Sequence, residues 1–85
     1  MIWEKGVQEQ FGFMIEKVPV FMRPIAQEAV LKKLEALLVQ DKRSDVTQKD
    51  MVDAFFAATP FGFHGPMKAD MESLGIDYTK YGYQR

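Results

Sequence analysis

The stretch VPVFMRPIAQEAVLKKLEALL, Val18–Leu38, decides how this chain is read. It opens as an apolar run interrupted by Pro19 and Pro24, carries one cation, Arg23, between them, and then becomes an amphipathic helical pattern. The residue before a proline avoids the α region, so Pro19 ends whatever helix precedes it. Pro24 is tolerated close to a helix start, where the first N–H groups lack intrahelical acceptors. The spacing predicts a helix from Phe21 or Pro24 through Leu38, burying Phe21, Ile25, Val30, Leu34, Leu37 and Leu38. Glu28 and Lys32 stand at i, i+4 on its wet side, a pairing worth about 0.3 kcal/mol.

Toward the N-terminus, Trp3, Val7, Phe11, Met14 and Val18 recur at steps of three and four and predict a first helix over Ile2–Val18. Gly6 and Gly12 weaken it by about 1 kcal/mol each if interior, with fraying or a kink expected near Gly12. Toward the C-terminus, the polar connection VQDKRSD leads to VTQKDM. There Thr47 is the predicted N-cap, Asp50 completes a capping box, and Val46 and Met51 occupy the staple positions. The third helix is predicted over Gln48–Ala58, burying Met51, Phe55 and Ala58 with Val52 or Phe56 beside them, and Pro60 stops it. PFGFHGP reads as a turn-rich loop. A short fourth helix follows, with Pro66 near its first position, Gly75 as its left-handed terminator, and Met71 and Ile76 placed for the accompanying apolar contact. The tail DYTKYGYQR has three tyrosines and no period, and no β pattern is visible. FGF occurs at Phe11–Phe13 and Phe61–Phe63, but the flanks differ and the recurrence is read as coincidence. The expected fold is all-α: a small bundle of three main helices plus a short C-terminal helix, built around Trp3, Phe21 and Phe55.

Eighty-five residues make one domain. Without cysteine there are no disulfides, thiolate metal sites or cysteine nucleophiles. Eleven basic and 12 acidic residues are mixed along the chain, with none of the basic excess that phosphate contacts require, so nucleic acid is a disfavoured partner. No apolar run approaches the roughly 18–20 residues that span a bilayer, and the N-terminus lacks a basic segment before an apolar core. The expectation is a cytoplasmic protein that does not enter membranes.

Groups for catalysis are scarce. His64 is the only histidine; Ser44 and Ser73 lie in no elbow-like context, and Asp50 is already committed to a cap. No catalytic residue and no metal site is assigned, and no independent enzymatic activity is expected. His64 is a loop residue or, alternatively, a ligand to a tetrapyrrole metal with Met67 as a soft companion. Phe61 and Phe63 either cap the bundle or form an exposed apolar patch at a partner or ligand site. Arg23 sits at a helix entrance, where the macrodipole favours anions, so something must compensate it. The alternatives are an ion pair with Asp50, Asp53 or Glu28, a carbonyl cap, an anion site for a pigment carboxylate, and a free surface residue.

Taken together, Trp3, the entrance Val18-Pro19-x-Phe21-x-Arg23, Glu28, and the helix start Val46-Thr47-x-x-Asp50-x-x-x-Ala54 resemble the small protochlorophyllide-reductase-type domain. That domain closes the B subunit of the light-independent protochlorophyllide reductase and also occurs alone. The likeness runs to about Pro60, with Pro24 as a departure, and divides the chain into a module over 1–60 and an extension over 61–85 packed on the same domain. It implies an accessory lid or docking element, with a reductase complex as partner, a tetrapyrrole as possible ligand and no cofactor of its own. Arg23, Phe61, Phe63 and His64 are the candidate binding residues; Trp3, Pro19, Phe21, Glu28, Thr47, Asp50 and Phe55 are the candidate structural set. A histone-like, DNA-associated helical hairpin is the alternative.

Overall fold

Local chemistry is clearest at Thr47. In the computed structural model, which describes residues 1–85, the Thr47 hydroxyl accepts from the Asp50 N–H at 3.1 Å, and the Asp50 carboxylate accepts from the Thr47 N–H at 2.9 Å. This reciprocal capping box opens helix α3, Gln48–Ala58. Asp50 is buried, and a buried carboxylate needs a counter-charge. Arg43 supplies it through two bonds, 2.6 Å to Oδ1 and 3.0 Å to Oδ2.

Before α3 the chain forms strand β1 (Ile2–Trp3), helix α1 (Val7–Lys17), a first 3₁₀ turn (Val20–Met22), helix α2 (Arg23–Gln40) and strand β2 (Asp45–Val46). After it come a second 3₁₀ turn (Phe61–Phe63), helix α4 (His64–Ser73) and a third 3₁₀ turn (Tyr78–Tyr81). The architecture is a small all-α bundle. One hydrophobic core takes Phe11 and Met14 from α1, Val30 and Leu34 from α2, Met51 and Phe55 from α3, Met67 and Met71 from α4, and Ile76 and Tyr78 beyond it. Helix α4 ends on Gly75 at φ 74°, where the Ile76 N–H reaches the Met71 carbonyl at 2.9 Å and the Gly75 N–H reaches Glu72 at 3.0 Å. This is a Schellman ending, with Met71 and Ile76 both buried.

Several expectations are corrected. The first helix starts at Val7, not Ile2, because Gly6 turns the chain at φ 82° and frees the preceding residues for pairing. Those residues form the strand pairing missing from the sequence reading: β1 lies parallel to β2 with Ile2 opposite Asp45 and Trp3 opposite Val46. A two-residue strand is too short to carry an alternation. Trp3 is half-buried and still packs on Phe11, ring centroids 5.3 Å apart. Gly12 lies within an unbroken α1. Phe21 is not a core residue: it is 79% exposed, and Ile25 is exposed as well. Ile25 already lies inside α2, five residues before Val30 and so about 140° round the helix from it, off the stripe that Val30, Leu34 and Leu38 bury. Phe21 lies in the 3₁₀ turn that precedes α2 and is not carried onto that stripe either. Pro66 takes the third position of α4, which starts at His64.

The order of elements repeats: strand, helix, 3₁₀ turn, helix. The helices and turns start at the same separation of 41 positions, from Val7 to Gln48, from Val20 to Phe61 and from Arg23 to His64, while the strands start 43 apart, at Ile2 and Asp45. Several buried positions follow the same offset: Met14 matches Phe55, Ile15 matches Phe56, and Val30 matches Met71. The molecule is two equivalent halves sharing one core.

Candidate functional site

Each half contains a prolyl turn, and residues of both turns line one apolar cavity. Pro19 and Pro60 both adopt extended backbone, with φ −51° and −56°, and each starts a three-residue 3₁₀ turn leading directly into a helix. The first residue of that helix then reaches back five positions to the residue before the proline. Arg23 Nε donates to the Val18 carbonyl at 2.9 Å, and His64 Nε2 lies 2.9 Å from the Thr59 carbonyl. Val18 and Thr59 are the C-caps of α1 and α3, so each contact satisfies a carbonyl at a helix end. Arg23 adds a second bond, Nη2 to the Glu16 carbonyl at 2.9 Å.

This resolves the charge at the helix entrance. Arg23 is a carbonyl cap for α1, where a cation suits the negative end of the macrodipole, rather than an ion-pair partner. The three acids considered for it are engaged elsewhere: Asp50 with Arg43, Asp53 with Lys49 at 2.7 Å, and Glu28 with Lys32 at 3.2 Å. Burial alone would raise the pKa of Asp50, but hydrogen bonds from Arg43 and from the Thr47 N–H and hydroxyl outweigh it and hold the carboxyl below its ordinary value.

Between the turns lies an apolar groove of about 460 Å³, within the range of roughly 300–1,000 Å³ typical of binding sites. Its lining comes in equivalent pairs from the two halves: Met14 and Phe55, Pro19 and Pro60, Met22 and Phe63, Ile25 and Pro66, Ala26 and Met67. Val30 is the one lining residue whose counterpart, Met71, does not also line it. Lys17 and Asp70 are its only charged residues, and their counterparts are Ala58 and Ala29.

The four candidate binding residues are divided by this geometry. Phe63, 64% exposed, lines the groove. Phe61, 88% exposed, belongs to a shallower recess of about 380 Å³ on the other side of its turn, with His64, Phe56 and Tyr83. There the His64 ring meets Phe56 edge-on at 5.2 Å and Phe61 at 5.5 Å. Met67, the companion suggested for His64, is buried in the core and faces the groove instead. No three His, Asp or Glu side chains gather as a metal site would need.

The sequence reading missed Met22, Lys17 and Asp70. One signal was available: a proline followed four residues later by Arg23 or His64, once per half.

The tail closes the opposite side of α3. Tyr81 hydroxyl donates to Gln48 at 2.5 Å, Tyr83 hydroxyl donates to Asp53 at 2.5 Å, and the Tyr83 ring stacks on Phe56 at 3.8 Å. Tyr78 donates to Glu72. Burial, then the bond to Asp53, pushes the Tyr83 phenol well above its ordinary range.

Fold and groove together define a small all-α domain of two equivalent halves with an open apolar groove between their prolyl turns. The chain belongs to the family described as protein of unknown function (DUF2621), whose family model matches residues 1–84. No curated protein and no solved structure matches it. No helix is long and apolar enough to cross a membrane.

Proposed function

We propose that this chain is a non-catalytic helical docking module that receives an apolar segment of a partner protein between its two prolyl turns. One observation carries the reading: Met22, Ile25 and Phe63 stand exposed along the groove, with Phe21 and Phe61 exposed on the same turns. Apolar side chains exposed along one groove, as Met22, Ile25 and Phe63 are, mark an interaction site. The cavity has room for about three Leu- or Phe-sized side chains, the number an amphipathic helix presents at i, i+3 or i+4, and i+7.

The resemblance to the lid and docking domain of light-independent protochlorophyllide reductase agrees with a binding role and makes a tetrapyrrole the competing occupant. Arg23 and His64, which would hold a pigment carboxylate and its metal, already contact main-chain carbonyls, and this favours a protein segment. Charge favours protein over nucleic acid, because the groove has one cation and one anion rather than a basic track.

The test is a photo-cross-linking amino acid placed at Phe63 of the full chain in its native host, with Gln40 as a control site at the far end of α2. A discrete adduct at Phe63 and none at Gln40 is expected. No adduct at Phe63, or a Soret-band shift on adding a chlorin at tens of micromolar that Phe63→Asp abolishes, would replace this reading.

A further inference from the structure

We infer that the segment received by the groove belongs to a second copy of this chain, the two copies meeting face to face about a two-fold axis. The inference rests on the docking reading and names its partner. A two-fold interface sets one patch against its own rotated image, so the patch has to complement itself.

The groove face carries what a self-match in shape requires, a recess together with side chains that can enter one. Its floor is concave and apolar, with Met14, Val30 and Phe55, and exposed apolar side chains, Met22 and Phe63, stand on either side of it. It meets the requirement in charge as well. Lys17 and Asp70 line the groove, and neither forms an ion pair within its own chain. They are one cation and one anion, at the positions where the two halves otherwise present alanine. An opposed copy offers Asp70 to Lys17 and Lys17 to Asp70, so both charges are answered twice by symmetry. An unrelated partner would need its own acid and base in the matching places.

The area is sufficient for a weak dimer. The smaller molecular extents are 29 and 23 Å, so covering one face removes on the order of 500–600 Å² per copy, near the lower limit for a specific interface. Area does not fix affinity, but an interface at this lower limit is expected to be weak, with a dissociation constant on the order of 10–100 µM.

Sedimentation equilibrium of the full chain from about 5 to 500 µM reads this directly. Wild type is expected to pass from monomer to dimer across the range. Lys17→Glu and Asp70→Lys each set like charges together at both symmetric positions, and each is expected to weaken the dimer at least about tenfold. The double variant K17E/D70K restores opposite charges and is expected within about threefold of wild type. A monomer at the highest concentration, single reversals without effect, or a folded double variant that stays monomeric would each overturn the inference. The cross-link at Phe63 separates the two readings. A monomeric chain giving an adduct with a different protein removes the self-partner and leaves the docking module standing. Absence of any adduct at Phe63 removes the docking module itself.

Discussion

Replacing Asp50 with alanine tests the energetics of the fold most sharply, because three interactions converge on that carboxylate. It completes the capping box with Thr47, accepts both bonds of the Arg43 fork at 2.6 and 3.0 Å, and is buried. Loss of a cap costs about 1 kcal/mol. Loss of charge-assisted hydrogen bonds adds about 1.5–3 kcal/mol at a buried acceptor, but Arg43 is partly exposed and regains water, which holds this contribution to the low end. The total is about 2–3 kcal/mol, a large share of the roughly 5–10 kcal/mol available to a domain of this size. Thermal unfolding followed at 222 nm should show a midpoint lowered by about 10–20 °C at pH 7. The acid limb offers an independent check. Asp50 has a folded pKa below its unfolded value of about 4, so its contribution is complete above pH 4 and lost as pH falls through the folded value. The variant should therefore lose less stability than wild type between pH 5 and pH 2. A destabilisation under about 0.5 kcal/mol at pH 7, or an unchanged acid limb, would refute the reasoning.

Phe55→Ala should cost about 3–5 kcal/mol in urea unfolding, whereas Phe21→Ala should stay within about 0.5 kcal/mol, since one ring is in the core and the other in water. Tyr83→Phe removes the bond to Asp53 while keeping the stack on Phe56, and should cost about 1 kcal/mol in the same assay. The raised phenol pKa means that the Tyr83 contribution is full below the unfolded value of about 10 and declines as pH rises toward the folded one. Absorbance titration at 295 nm should show one tyrosine ionising later than in Tyr83→Phe. Gly75→Ala forces a side chain into φ 74° and should lower stability by about 1 kcal/mol, read from the shift in denaturation midpoint.

Legibility followed the range of the interactions. The Thr47 cap, the α3 boundaries and the Gly75 ending were readable because each is satisfied within a few residues of its own signal. Arg43 sits in the polar connection VQDKRSD, and its partner, Asp50, lies across the strand and cap that separate them, so no local signal marks the pair. Arg23 was readable as a cation needing compensation, but whether acid or carbonyl supplied it depended on how the chain turned at Pro19. The groove was least legible. Of the five principal lining pairs, only Pro19 and Pro60 are identical, so beyond the recurring proline, residue type gives little sign that the halves match.

The sequence alone settled the helical class, the main caps and stops, most apolar positions of α1 and α3, and the Val30, Leu34 and Leu38 stripe of α2, because periodicity and capping are local properties of the backbone. Tertiary structure decided that two strands pair, that Phe21 faces water, and that two dissimilar stretches fold as equivalent halves around a shared groove. The physical reason is that burial belongs to the packed arrangement: once Pro19 and Pro60 redirect the chain, which side of an apolar residue meets protein is set by elements far away in sequence.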